Sequence, residues 1–95
     1  MNDPSRLHAV IQGRVQGVGF RAHVQHKAGD IGLTGWVRNR WDGSVEVLAE
    51  GDRAKLDKLV IALKRGPGSA MVSAVDTEWQ EGMGEFTRFT VKSTV

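Results

Sequence analysis

Residues 7–12 (Leu-His-Ala-Val-Ile-Gln) form a short, partly alternating apolar run that ends at Gly13, a pattern that predicts a strand. The period then changes. Phe20, Val24, Ala28 and Ile31 recur at three- and four-residue spacing, which puts them on one face of a helix, and Gly32 stands where a helix C-cap is expected. Residues 33–39 (Leu-Thr-Gly-Trp-Val-Arg-Asn) are rich in β-formers and predict a second strand. Asp42-Gly43 is a hairpin-turn dipeptide, and it leads into a third strand over 44–50, where Val45, Val47 and Ala49 alternate with less buried positions. Leu56, Leu59, Val60 and Leu63 make the apolar stripe of a second helix; Asp52 is placed to cap its start and Gly66-Pro67-Gly68 to stop it. Two further strands are predicted over 71–80 and 86–91, joined through Glu81-Gly82-Met83-Gly84. Two amphipathic helices and one mostly antiparallel sheet fit a two-layer α+β sandwich with both helices on the same face.

Composition narrows the chemistry. A chain of 95 residues is one domain, here expected over 7–95 behind a frayed segment 1–6, with no internal repeat or low-complexity tract. The 13 Lys and Arg against 11 Asp and Glu give a net charge of only +2, too mild to name a partner. The absence of cysteine excludes a disulfide framework, a Cys-ligated metal and a thiolate nucleophile. No stretch approaches the ~20 consecutive apolar residues of a membrane span. The first residues lack the basic-then-apolar grammar of a signal peptide, so a cytoplasmic protein is expected. Glycine is in surplus, at 12 residues, where usual composition would give about 7.

Part of that surplus lies in Gly13-Arg14-Val15-Gln16-Gly17-Val18-Gly19-Phe20-Arg21, between the first strand and the first helix. A glycine-rich loop feeding a helix N-terminus converges backbone N–H groups on one point, and the helix dipole favours negative charge there. Gly17 and Gly19 are expected to let the amides turn inward where Cβ atoms would obstruct. Arg21 adds a planar cation able to grip two phosphate oxygens at once. The loop has no Ser, Thr or Cys, so it can cradle a phosphoryl group but cannot accept one covalently. The Gly-Lys-Ser/Thr ending of a nucleotide-binding P-loop is missing, and 95 residues cannot hold the two halves of a dinucleotide fold. The bland alternative is a tight connection with no ligand.

Other positions carry less. Taken alone, Asn39 reads as a turn residue, and Asp42 is explained by the hairpin, although it could be weighed as a general base. His23 and His26 have a spacing compatible with a metal pair but no third ligand with a sequence rationale. Arg14, Arg38 and Arg40 form either a positive rim around the loop or scattered solvated charges. Trp36, Trp41 and Trp79 read as core or rim packing, and His8 has no argued role.

The glycine loop ending in Arg21, followed by Gly35-Trp36-Val37-Arg38-Asn39 and then Asp42-Gly43-Ser44-Val45, resembles the acylphosphatase family, and the resemblance runs from about Leu7 to Val91. It implies a ferredoxin-like sandwich that hydrolyses the carboxyl–phosphate bond of acyl phosphates without metal or cofactor. It also implies that Arg21 binds the phosphate together with the backbone amides of Val15, Gln16, Gly17, Val18, Gly19 and Phe20, and that Asn39 positions the attacking water. The expected partners are a small acyl phosphate substrate and inorganic phosphate as product, for a monomer with no nucleic acid and no membrane. Family members often carry Thr after the asparagine and a small or turn residue next; here Arg40 and Trp41 stand there, which bears on substrate preference.

Such chemistry can run on few groups. An acyl phosphate is an activated mixed anhydride whose carboxylate departs without a general acid. Phosphoryl transfer asks mainly for positioning and for charge stabilisation at the equatorial oxygens. A neutral amide has no useful proton affinity near pH 7, so the role of Asn39 would be geometric. Two alternatives remain. One is an accessory module of the same family acting on carbamoyl phosphate, against which a single-domain length weighs. The other is a ferredoxin-like RNA-binding module, which the lack of aromatic residues on the first and third strands disfavours.

Overall fold

The structure is a computed structural model that describes residues 4–95. In chain order it contains β1 (Ser5–Arg14), α1 (Phe20–Ile31), β2 (Thr34–Asn39), β3 (Val45–Gly51), α2 (Arg53–Arg65), β4 (Met71–Glu81) and β5 (Phe89–Val91). The strands form one sheet in the order β4-β1-β3-β2-β5, antiparallel throughout except for the parallel pair β2–β5. This is the ferredoxin-like α+β sandwich with an added edge strand.

Strand alternation sorts the side chains. Leu7, Ala9 and Ile11 of β1, Val37 of β2 and Val45, Val47 and Ala49 of β3 are fully buried under the helices. Phe20, Val24 and Ala28 of α1 and Leu56, Leu59 and Leu63 of α2 pack down onto them, as the three- and four-residue spacing requires. The opposite face of the sheet carries no helix. It is held by polar pairs: His8 Nε2 lies 2.7 Å from Glu46 Oε2, and Arg38 Nε donates to Glu46 Oε1 at 2.8 Å. Trp36 is on this face too, covered by the Arg38 guanidinium at 4.4 Å and the Lys92 ammonium at 5.0 Å from its ring centre.

Several boundaries differ from expectation, each for a physical reason. Ser5 and Arg6 are not frayed: β1 starts at Ser5, which pairs with Gly51 on one side and Glu81 on the other. Residues 1–3 of the expected frayed segment lie outside the described residues. Asp52 does occupy the N-cap of α2, but its side chain makes no capping bond; its backbone carbonyl accepts from Lys55 and Leu56 instead. Gly32 ends α1 as expected, with φ 84° and its N–H directed to Ala28 and Gly29. The last strand is shorter than the predicted 86–91, because β4 and β5 stand on opposite edges of the sheet. Residues 82–88 must therefore cross the whole sheet. Four strand spacings amount to roughly 19 Å, and a chain of that length reaches little beyond ~24 Å when extended. Residues 86–88 are used up in the crossing and cannot pair.

This strap runs over the open face and is tied down at a buried carboxylate. Glu50, only 3% exposed, accepts from Met83 N–H (2.8 Å), Glu85 N–H (3.1 Å) and Arg6 Nε (2.8 Å). Gly82 N–H donates to Pro4 O at one end, and Gly35 N–H to Arg88 O at the other. Burial works against ionisation of Glu50, but the bonds from Met83, Arg6 and Glu85 outweigh it and hold the carboxyl below its ordinary value. No helix among the described residues is long and apolar enough to cross a membrane.

Candidate active site

β1 runs out at Arg14 and the chain enters the glycine loop, anchored by Val15, which is 1% exposed. Gly17 (φ 74°) and Gly19 (φ 78°) both adopt the left-handed region, where a Cβ is strained. A Cβ at either position would meet nothing within 4 Å, so the requirement is conformational, and the expected obstruction by neighbouring atoms is absent. Gly13 has a different task. It stands at a β1–β4 register shift, where a Cβ would run into the Met71 carbonyl, and it does not line the pocket.

Gly19 is the N-cap of α1, with no side chain capping it and no acidic residue in the first turn. The first amides of the helix are thus left for an external acceptor. The pocket above them has a volume of about 300 Å³. Gly17, Gly19, Phe20 and Arg21 line it from the loop and helix, Val15 from below, and Asn39 from the end of β2. Asn39 reaches it because alternation puts it on the helix face with Gly35 and Val37. The lining holds no carboxylate, and among the described residues Arg21 has no ion-pair partner. Arg21, half-buried as a residue and without an ion-pair partner among the described residues, stands beside helix amides that no side chain caps, an arrangement whose charge suits an anion.

Six of the eight residues expected from the sequence therefore converge on one pocket; Gln16 and Val18 do not line it. Val18 packs against the core, and the Gln16 side chain turns away to the β2–β3 turn. Three lining residues were not foreseen, Ala22, Gln25 and Val91. Gln25 lies four residues beyond Arg21 on the same helix, so its spacing could have suggested it. Val91 had no such signal, since its place depends on the parallel pairing of Val37 with Val91.

The remaining candidates lie elsewhere. Asp42 is committed to Ser44, whose hydroxyl and N–H both donate to Oδ1, at 2.6 and 2.9 Å. Those bonds hold its carboxyl below the ordinary range, which makes it a weaker base, and it does not line the pocket. Arg38 points to the open sheet face and bonds Glu46, Arg40 lies 3.9 Å from Asp42, and neither these two nor Arg14 lines the pocket. His26 pairs with Asp30 at 3.3 Å, whereas His23 packs edge-on to Phe20 with its Nε2 buried and unpartnered. No three His, Cys, Asp or Glu side chains gather into a ligand cluster among the described residues. Trp79 lies under Arg53 at 3.5 Å, whereas Trp41 is 84% exposed.

The fold and the site together define a ferredoxin-like α+β domain in which a glycine loop, an arginine without an ion-pair partner among the described residues and an asparagine line one pocket. The acylphosphatase family profile matches residues 7–91. The chain is 48% identical over 87 residues to an acylphosphatase of Pelotomaculum thermopropionicum, covering 92% of this chain and 95% of that one. It is 52% identical over 85 residues to an acylphosphatase of Acaryochloris marina, with 90% of each chain covered. Its backbone superposes on the crystal structure of acylphosphatase from Bacillus subtilis with a TM-score of 0.90 at 39% identity, over 93% of this chain and 98% of that one. The chain belongs to the acylphosphatase family and is an enzyme of that class.

Proposed function

We propose that the protein hydrolyses the carboxyl–phosphate bond of small acyl phosphates, with Arg21 and the loop amides holding the phosphate and Asn39 holding the attacking water. The observation that supports this reading is the meeting of Arg21 and Asn39, 18 positions apart in the chain, in one pocket with no carboxylate in its lining among the described residues. The Arg21 fork and the amides of Val15, Gly17, Gly19 and Phe20, the loop residues that line the pocket, face the phosphoryl oxygens and stabilise charge as the anhydride bond lengthens. Water bound to the Asn39 amide attacks phosphorus in line, and the carboxylate leaves on the far side. The proton of the water passes to a phosphate oxygen, so no protein base is required, and the products are a carboxylate and inorganic phosphate. Asp42, bound to Ser44, takes no part. A monomer that needs no metal, cofactor, nucleic acid or membrane completes this reading.

The test is hydrolysis of an aromatic acyl phosphate in excess EDTA, followed by the loss of its absorbance. Turnover well above the buffer rate is expected; a rate equal to background would reject the proposal. Arg21→Ala is expected to lower kcat/KM by roughly 10³-fold and to abolish inhibition by inorganic phosphate. Asn39→Ala is expected to lower kcat by about 10²-fold while phosphate inhibition persists. Equal loss of phosphate binding in both variants would sink this division of roles.

A further inference from the structure

Gln16 lies inside the glycine loop, yet its side chain leaves it. The amide Nε2 donates to the backbone carbonyl of Arg40 at 2.7 Å and to that of Ser44 at 2.8 Å. Both acceptors are carbonyls, so only the NH₂ end of the amide fits there, and it uses both of its protons. Arg40 directly follows Asn39, and Ser44 directly precedes Val45, the residue that pairs with Asn39 across the hairpin. Arg40 and Ser44 are also joined to each other, Arg40 N–H to Ser44 O at 2.9 Å. A single side chain thus grips both strands of the hairpin one step beyond Asn39.

Nothing in the sheet does this work. β1 pairs with β3 only as far as Ile11 opposite Val45, and from Gln12 to Arg14 its pairing is with β4 alone. Beyond Ile11 no ladder pairing joins β1 to the hairpin, just where the pocket opens between the loop and Asn39. Gly17, the next residue after Gln16, lines that pocket on one side and Asn39 on the other. We propose that Gln16 is a positioning residue, whose two-pronged amide sets the separation between the phosphate cradle and Asn39. The proposal rests on the reading of Asn39 as the group that holds the water. Gln16 does not line the pocket, so its side chain acts only through the hairpin.

The test replaces the donor without emptying the space. Gln16→Met keeps the length and removes both hydrogen bonds; Gln16→Glu keeps the shape and sets an oxygen against two carbonyls. Each is expected to lower kcat by about 10- to 100-fold, the scale of a small misplacement of reacting groups. In Gln16→Met the inhibition constant of inorganic phosphate should stay within about 3-fold, since Arg21 and the loop amides remain. Gln16→Asn, one carbon shorter, can reach at most one carbonyl and should fall between these and the parent. The decisive comparison is the Asn39→Ala background. If Gln16 acts through Asn39, Gln16→Met should change kcat there by less than about 2-fold. A full additional loss in that background, or phosphate binding that weakens as much as kcat, would overturn the proposal. Should Gln16→Met not fold, Gln16→Glu and Gln16→Asn provide the same comparison. If Asn39→Ala alone leaves kcat intact while the parent enzyme is active, the role of Asn39 fails first and the Gln16 proposal with it. An active enzyme with Asn39 essential and Gln16 additive refutes the brace alone.

Discussion

Arg21 and Gly19 are adjacent to the same helix end but contribute in different ways, and substitutions can separate them. Arg21→Lys keeps a positive charge and loses the planar fork; kcat/KM should fall by about 10²-fold, with most of the loss in transition-state stabilisation. Gly19→Ala puts a Cβ on a left-handed residue with open space around it, so the expected cost is about 1–2 kcal/mol of local strain with no clash. The loop can relieve that strain only by leaving its conformation, so affinity for phosphate should weaken more than the melting temperature falls. At Asp42 the expectation is the reverse. Asp42→Asn can still accept the Ser44 bonds, and the pH–rate profile should keep its shape; loss of a basic limb would reinstate Asp42 as the base. Much of the pocket lining was legible because it is local, a loop and a helix start that carry Gly17, Gly19 and Arg21, whereas Asn39 alone reads as a turn residue and entered only with the family resemblance. The brace at Gln16 was not legible, because its partners are carbonyls 24 and 28 positions away whose side chains are irrelevant to the contact.

Among the elements, the strap over residues 82–88 shows how periodicity alone can misjudge a segment. Phe86 and Phe89 invite a strand, but the crossing from β4 to β5 consumes 86–88 and only Phe89–Val91 pairs. Glu50 similarly looks like a solvated residue at a strand end. It is buried because the strap lies on it, and three donors replace the water it loses. Glu50→Ala should cost about 3–5 kcal/mol in denaturant unfolding, since it leaves the Arg6 guanidinium and two strap amides without their acceptor. Glu50 is on the sheet face opposite the pocket, so kcat at 25 °C should be unchanged. A small stability loss, or a parallel fall in kcat, would contradict the placement of the strap. The helices were more legible: their stripes and glycine stops follow from single-helix geometry, and only the capping by Asp52 moved from side chain to backbone.

For the molecule as a whole, the open sheet face gives stability a definite pH dependence. Glu50 and Glu46 are both held below their ordinary value of 4.5, against the penalty of burial, by the partners that pair them with the sheet. A depressed carboxyl binds its proton more weakly in the folded chain than in the unfolded one. Its stabilisation is therefore complete above about pH 4.5 and is lost as pH falls through the lower folded value. Thermal melting should be insensitive to pH from these groups between neutrality and pH 5 and should then fall steeply. In Glu50→Gln that fall should be shallower; an unchanged acid limb would show that other groups carry it. The layer architecture was legible from element order, but the sheet order was not, because pairing β1 with β4 joins residues separated by most of the chain.

That pairing has a consequence for how the protein is made. β1 is the strand between β3 and β4, and β4 is synthesised long after β3. On the ribosome, β1 and β3 can zip while the other edge of β1, with Leu7, Ala9 and Ile11 on its inner face, still waits for a partner. A nascent chain halted before Met71 would present a bare strand edge over a half-built apolar face, open to the same edge of a neighbouring polysome product. Truncations ending before β4 should therefore aggregate as amyloid-like sheets, whereas the full chain seals that edge with its longest strand.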